Sequence, residues 1–420
     1  MGSLRIRGGR KLEGEMTVGC AKNAVLPIMA AAILAGEPAV LLDCPQLTDI
    51  SHMADILRRL GCRVTWERRR MEIDPSAMNR HEMPDELAKK IRSSIFMLGP
   101  ILARFRKATV TYPGGCEIGM RPIDLHLHGL RQLGVKIREE GGLIHCEGSD
   151  MRSGSVHFDY PSVGATENVM MAAVLLKGRT LLHNVAREPE IVDLQRFLNA
   201  MGASVTGAGT NTIAVEGVRS LGGVTYRPMP DRIVAGTVLA AVAVTGGSVR
   251  LHNAPCRDMV AIFNKLQEMG CAIEEKGTTA FLKAPDRLRA FVQLQTQPHP
   301  GFPTDMQVQM LALATLAKGT SIVSENVFEN RFTHAGDLNR MGANIVVNGR
   351  TAIVQGVDAL YGAHVTARDL RGGAALAIAG LRAGGETLVD NAGLIDRGYE
   401  RLENMLGALG ADIERIEQGE

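Results

Sequence analysis

Residues 24–35, 169–176, 234–244, 310–316 and 374–381 form five stretches that are almost wholly apolar at helical spacing. A helix without a polar face has no side for water, so each is expected to be enclosed by other elements. A glycine or Lys-Gly turn follows, and then a short strand of alternating character, as at 108–112, 180–183, 248–252 and 387–390. After a loop comes an amphipathic helix, for example 193–201 or 259–269, that stops at Leu or Met followed by Gly. Glycine there suits a left-handed C-cap. Further strands, such as 135–138, 143–146 and 155–158, complete the unit.

The stop signature recurs at Leu60-Gly61, Leu133-Gly134, Met201-Gly202, Met269-Gly270, Met341-Gly342 and Leu409-Gly410. Its glycines fall 73, 68, 68, 72 and 68 residues apart, which marks six copies of one structural unit. Two helices and about four strands per copy predict an α/β fold with helices inside and sheets outside. Six copies divide into three plus three. Pro228 and Pro230 interrupt an extended segment before the fourth apolar helix and set the expected boundary. The expected domains are residues 22–229, carrying the Cys116 loop, and residues 1–21 with 230–420, the active site lying in the cleft between them.

Composition narrows the picture. A chain of 420 residues exceeds one ordinary core, and 45% hydrophobic with 22% charged residues is a soluble globular balance. Net charge of +2 gives no general basic surface for nucleic acid or membrane. The longest apolar run, 24–35, contains Pro27 and is too short for a membrane span of about 20 residues. The N-terminus lacks a signal-peptide core, and Ile6 departs from the myristoylation pattern, so no targeting segment is expected. Seven cysteines (Cys20, Cys44, Cys62, Cys116, Cys146, Cys256, Cys271) include no Cys-x-x-Cys pair. That pattern suits reduced thiols in a cytoplasm rather than a disulfide frame or a zinc site.

Polar residues collect where the apolar helices begin: Lys22-Asn23, Arg92, Ser162-Val163-Gly164, Asp231-Arg232, Thr304-Asp305, and Asp369 with Arg371. Taken singly, each aspartate is an N-cap and each cation a solvated charge. Different residue types at equivalent positions argue for more than capping. Converging helix starts, with added cations, favour phosphate and carboxylate groups. Loops after the short strands add Cys116 and Arg121, Glu188 and Glu190, Arg331, and Arg397. Cys116 lies among glycines, between Pro113 and Pro122, in no apolar pattern, as an exposed reactive thiol would. His126 and His128 lack partners at metal spacing, and no Walker or dinucleotide-binding glycine pattern occurs, so neither metal nor cofactor is expected.

Several ordered runs carry a family resemblance: Ala21-Lys-Asn-Ala24, Pro113-Gly-Gly-Cys-Glu-Ile-Gly-Met-Arg-Pro122, Ser162-Val-Gly-Ala-Thr166, Phe302-Pro-Thr-Asp-Met-Gln307, Phe328-Glu-Asn-Arg331, Asp369-Leu-Arg371 and Ile395-Asp-Arg-Gly-Tyr-Glu400. From end to end the chain resembles the UDP-N-acetylglucosamine enolpyruvyl transferases of bacterial cell-wall synthesis. The resemblance implies an inside-out α/β barrel of two domains, each threefold pseudo-symmetric. It also implies transfer of enolpyruvyl from phosphoenolpyruvate to the 3′-hydroxyl of UDP-N-acetylglucosamine, with loss of phosphate, as the first committed step toward peptidoglycan. By the same resemblance, Lys22, Asn23, Arg121 and Arg397 hold phosphoenolpyruvate, Cys116 protonates its vinyl carbon and is the target of fosfomycin, and Asp305 takes the hydroxyl proton. Asn23, Arg92, Arg121, Pro122, Ile123, Asp124, Leu125, Ser162, Val163, Gly164, Asp305 and Val327 match nucleotide-sugar positions. Arg331, Asp369, Arg371, Glu188 and Asp231 support them. Tyr160 stands where some members have a lysine near the uracil. Two alternatives remain: enolpyruvyl transfer to shikimate 3-phosphate, and a non-catalytic UDP-sugar-binding paralogue that regulates wall synthesis.

Overall fold

In the computed structural model the six stop glycines share one backbone state. Gly61, Gly134, Gly202, Gly270, Gly342 and Gly410 all have positive φ, between 89° and 104°. A Cβ is disfavoured there, which is why glycine ends each amphipathic helix and turns the chain into the next strand. The structure describes residues 2–114, 118–119 and 123–417.

Contacts divide the described chain into two units. One, called here the Lys22 unit, comprises residues 20–114 and 123–229; the Asp305 unit comprises residues 2–19, 118–119 and 230–417. Each has its own core.

In the Lys22 unit the central helices are α1 (Lys22–Ala31), α2 (Leu98–Phe105) and α3 (Val163–Ala173). In the Asp305 unit they are α4 (Arg232–Thr245), α5 (Thr304–Ala314) and α6 (Leu370–Gly380). The expected start of the second helix at Arg92 is corrected. Arg92–Met97 forms a 3-10 segment, and regular α-helix begins only at Leu98. All nine residues from Ala165 to Ala173 are buried, as are all ten from Arg371 to Gly380. Each fully buried aliphatic side chain contributes roughly 1.5–3 kcal/mol of transfer free energy, so the apolar faces hold these helices inside. Glycine permits the closest approach: a Cβ on Gly99 of α2 would lie 2.1 Å from the Asn168 carbonyl oxygen of α3.

The sheets lie outside the helices and alternate buried with exposed positions, as in Arg179–His183. Five four-stranded sheets and one three-stranded sheet are present among the described residues. Each four-stranded sheet joins three antiparallel strands to one parallel edge strand. In the Lys22 unit, Val224–Tyr226 of the third copy runs parallel to Ala39–Leu41 of the first and closes the circuit. In the second copy the parallel partner shrinks to a single bridge between Glu82 and Thr109. In the Asp305 unit the start of the chain closes the circuit. Glu13–Thr17 runs parallel to Ser248–His252, and Ser3–Arg7 sits between Glu386–Asp390 and Asp412–Ile416. No helix among the described residues is long and apolar enough to cross a membrane.

Candidate functional site

Lys22 opens α1 and is 7% exposed, although lysine is rarely buried alone. Its Nζ donates to Asp49 Oδ2 at 3.1 Å, and Asp49, 4% exposed, lies in the first turn of Thr48–Arg59. The sequence singles out Lys22 but gives no hint of Asp49, which lies 27 residues on. Asn23 is exposed, and Arg92 is half-buried at the head of its 3-10 segment. Ser162 caps α3, its hydroxyl accepting from Ala165 N–H at 3.4 Å, with Val163 and Gly164 half-buried beside it. Ile123 is buried, Asp124 exposed and Leu125 half-buried at the start of Asp124–Gln132. Tyr160 is 45% exposed.

Two polar groups inside this unit belong to none of the motifs. Glu167 is wholly buried in α3, and neither carboxylate oxygen has a hydrogen-bond partner. Burial foremost, and then the charges of Glu190 and Glu188, hold its carboxyl well above the usual carboxylate range. Those two glutamates flank Pro189 at the start of Pro189–Ala200. Asn168, one residue after Glu167, is fully buried and hydrogen-bonded to His126, Ile95 and Gly99. Their signal was visible: a Glu-Asn pair in an otherwise apolar helix needs a reason.

In the Asp305 unit the three aspartates at helix starts separate into two kinds. Asp231 accepts from the N–H groups of Ile233 and Val234 at 2.8 and 2.9 Å, and Asp369 from those of Arg371 and Gly372 at 2.9 and 3.0 Å; both are N-caps. Asp305 is not, since Pro303 holds the capping position of α5. Its Oδ1 accepts from Arg331 Nη2 at 2.8 Å, and its Oδ2 from Arg371 Nη2 at 3.1 Å and Nε at 3.3 Å. Both arginines are 2% exposed. The Arg371 guanidinium lies over the Tyr399 ring at 5.1 Å. The Tyr399 hydroxyl in turn meets Thr237 Oγ1 at 2.9 Å and Gln309 Nε2 at 3.1 Å, linking α4, α5 and α6.

Glu325, 1% exposed, is a further residue no motif revealed. It accepts from the Val327 and Phe328 N–H groups at 2.8 and 3.0 Å, from Thr296 Oγ1 at 2.8 Å and from Thr304 Oγ1 at 3.0 Å. The loop carrying Val327 is thereby tied to the residue next to Asp305. His334 is 2% exposed, and neither ring nitrogen has a hydrogen-bond partner. Burial pushes its imidazole down to about 4, Asp369 opposing and Arg331 reinforcing the shift. Arg397 is half-buried, just past Ala392–Ile395.

Cys116, Arg121 and Pro122 lie outside the described residues. The other six cysteines are buried. Burial pushes the thiols of Cys20, Cys62, Cys146 and Cys271 up to about 12. Such thiols are neutral and unreactive at physiological pH. No group of His, Cys, Asp and Glu able to hold a metal ion is found among the described residues.

The model of the family EPSP synthase (3-phosphoshikimate 1-carboxyvinyltransferase) matches residues 6–406. UDP-N-acetylglucosamine 1-carboxyvinyltransferase 2 of Caldanaerobacter subterraneus subsp. tengcongensis is 49% identical over 99% of this chain and 100% of its own length. UDP-N-acetylglucosamine 1-carboxyvinyltransferase 1 of Symbiobacterium thermophilum is 50% identical over 98% of this chain and 94% of its own. Among solved structures, the enolpyruvyl transferase NikO from Streptomyces tendae superposes with a TM-score of 0.89 at 24% identity, covering 99% of this chain and 98% of that one, a likeness of fold.

Proposed function

The chain belongs to the EPSP synthase family, among its UDP-N-acetylglucosamine 1-carboxyvinyltransferases, and we propose on that footing that it transfers enolpyruvyl from phosphoenolpyruvate to the 3′-hydroxyl of UDP-N-acetylglucosamine, releasing phosphate. The observation that carries this reading is identity of 45–50% over nearly the whole chain to relatives bearing that name. In a growing bacterium the reaction supplies peptidoglycan precursors from the cytoplasm.

The chemistry is addition followed by elimination. In the first half the sugar oxygen bonds to C2 of phosphoenolpyruvate while C3 gains a proton. In the second, C3 loses a proton as the bond from C2 to the phosphate oxygen breaks. Cys116 is the proton donor to C3, and Asp305 accepts the proton of the attacking hydroxyl. Two buried arginines orient the Asp305 carboxylate, so its direction is set before substrate arrives. Lys22, Asn23, Arg121 and Arg397 take the phosphate and carboxylate of phosphoenolpyruvate, where fixed cations stabilise charge that grows on the leaving phosphate. The buried pair with Asp49 makes Lys22 such a fixed cation. The nucleotide sugar is held by Asn23, Arg92, residues 121–125, Ser162, Val163, Gly164 and Val327. No cofactor enters these steps.

Phosphate release measured with phosphoenolpyruvate and UDP-N-acetylglucosamine together is the direct test. Turnover that needs both substrates is expected. Turnover with shikimate 3-phosphate in place of the nucleotide sugar would transfer the chain to the sister activity, and tight nucleotide-sugar binding without turnover would make it a binding paralogue.

A further inference from the structure

The Asn168 side chain is hydrogen-bonded to Gly99, Ile95 and His126, none of them a position assigned to substrate, and each of its hydrogen-bonding groups is committed. The Gly99 N–H lies 2.6 Å from Oδ1, which identifies that atom as the amide oxygen. Nδ2 lies 2.8 Å from the Ile95 carbonyl oxygen, which only accepts. One Nδ2 hydrogen is used there, and the other faces His126 Nδ1, also at 2.8 Å. A hydrogen on Nδ1 would set donor against donor. Nδ1 is therefore the lone-pair nitrogen, and the imidazole proton sits on Nε2.

The far edge of the same ring rests on the start of α3. A Cβ built on Gly164 would lie 2.9 Å from His126 Cε1 and 3.1 Å from Nε2, so glycine at this position lets the ring close on the helix start. One buried amide thus ties together three segments: the 3-10 segment that begins at Arg92 and the start of α2 that follows it, through Ile95 and Gly99; residues 123–125, through the adjoining His126; and α3, whose start carries Ser162 to Gly164. Packing alone would be served by an apolar side chain such as leucine, which has the same branched skeleton of four heavy atoms. Leucine would strand the Gly99 N–H, the Ile95 carbonyl and His126 Nδ1 in the interior.

We propose that Asn168 is a positioning residue for the nucleotide sugar: by fixing His126 in its Nε2–H form against Gly164, it holds the three segments that receive that substrate in register. The proposal rests on the assignment of those segments to UDP-N-acetylglucosamine. Of the residues assigned to phosphoenolpyruvate, Lys22, Asn23 and Arg397 lie on none of these segments, so the effect falls mainly on the nucleotide sugar.

The test combines steady-state kinetics with nitrogen NMR of the full chain labelled at histidine. In the wild type, His126 is expected to show an unprotonated Nδ1 and a protonated Nε2. Asn168→Asp keeps the size and the acceptor for Gly99 but removes both donors, so Nδ1 should gain a proton. KM for UDP-N-acetylglucosamine should rise roughly tenfold, the scale of one hydrogen bond's contribution to alignment, while KM for phosphoenolpyruvate and kcat stay within about twofold. His126→Gln should give the same split, and the double variant should be no worse than either single one. A wild-type His126 with the proton on Nδ1 overturns the proposal, whether or not any variant folds. So does an equal change in both KM values, or full additivity in the double variant. Absence of wild-type turnover with UDP-N-acetylglucosamine would instead remove the substrate assignment and leave the NMR result to judge Asn168 and His126 separately.

Discussion

Asp305 Oδ2 lies 3.1 Å from Nη2 of Arg371, an arginine 2% exposed whose guanidinium lies across the ring of Tyr399. The aspartate proposed as base is therefore the end of a buried chain, from Tyr399 through Arg371 to the carboxylate. Asp305→Asn keeps the shape and removes the proton acceptor. Its kcat should fall by roughly 10²–10⁴-fold, the usual range for a general base, with little change in either KM. A change confined to KM would make Asp305 a binding residue. Arg371→Ala leaves the Asp305 carboxylate with Arg331 alone and should cost roughly 1.5–3 kcal/mol in denaturant unfolding, the range for hydrogen bonds to a charged group. Arg371 in that case acts through orientation, so kcat should fall in the folded variant too.

Lys22 and Asp49 give a second prediction. Both side chains are less than 10% exposed, and the pair makes Lys22 a fixed cation rather than a solvated one. Asp49→Asn retains an acceptor oxygen but removes the countercharge. KM for phosphoenolpyruvate should rise several-fold, and KM for UDP-N-acetylglucosamine should not. Equal effects on the two substrates would show that Asp49 supports the unit generally instead of orienting Lys22.

The repeat was legible because its punctuation has one physical cause. Six helices must turn sharply into strands, positive φ is required at each turn, and glycine at near-constant spacing records it. Helix starts were legible as places, though not as roles. Asp231, Asp305 and Asp369 look alike in the sequence, and only coordinates separate two caps from a carboxylate clamped by Arg331 and Arg371. Partners distant in sequence were hidden for the same reason. Nothing local to Glu325 foretells that it gathers Val327, Phe328, Thr296 and Thr304, and nothing near Lys22 points to Asp49. The polar residues within apolar helices, Glu167, Asn168 and Gln309, could have been found, since each breaks a pattern that otherwise excludes hydrogen-bonding groups.

Two buried titratable groups predict opposite pH effects on stability. Glu167 has a raised folded-state pKa, so above about pH 4.3 the unfolded chain releases a proton that the folded chain keeps. Stability is lost as pH rises through that window. Glu167→Met removes the loss and should raise the melting temperature at pH 8 relative to wild type, and far less at pH 4. His334 is depressed to about 4, below its unfolded value of about 6.5. Its neutral form therefore costs stability progressively as pH falls from about 6.5 toward 4, and His334→Gln should flatten that acid limb. Parallel melting curves for a variant and the wild type across both windows would contradict the assignment for that residue.

The last prediction concerns thiol chemistry. Six of the seven cysteines are buried, and four have thiols held at about 12, far from the thiolate that reacts with an electrophile. Cys116 is the remaining one, set in a glycine-rich run beside Arg121 in the sequence. Native protein treated with fosfomycin should therefore gain one adduct by intact mass, with the modified peptide containing Cys116. Cys116→Ser should abolish the adduct and most of the turnover. Cys116→Asp should also abolish the adduct yet retain activity, because a carboxylic acid is able to deliver to C3 the proton proposed to come from the thiol. Equal loss of turnover in the two variants would show that the thiol does something other than acid catalysis. An adduct persisting in Cys116→Ser would place the reactive thiol among the six buried ones and overturn the argument from burial.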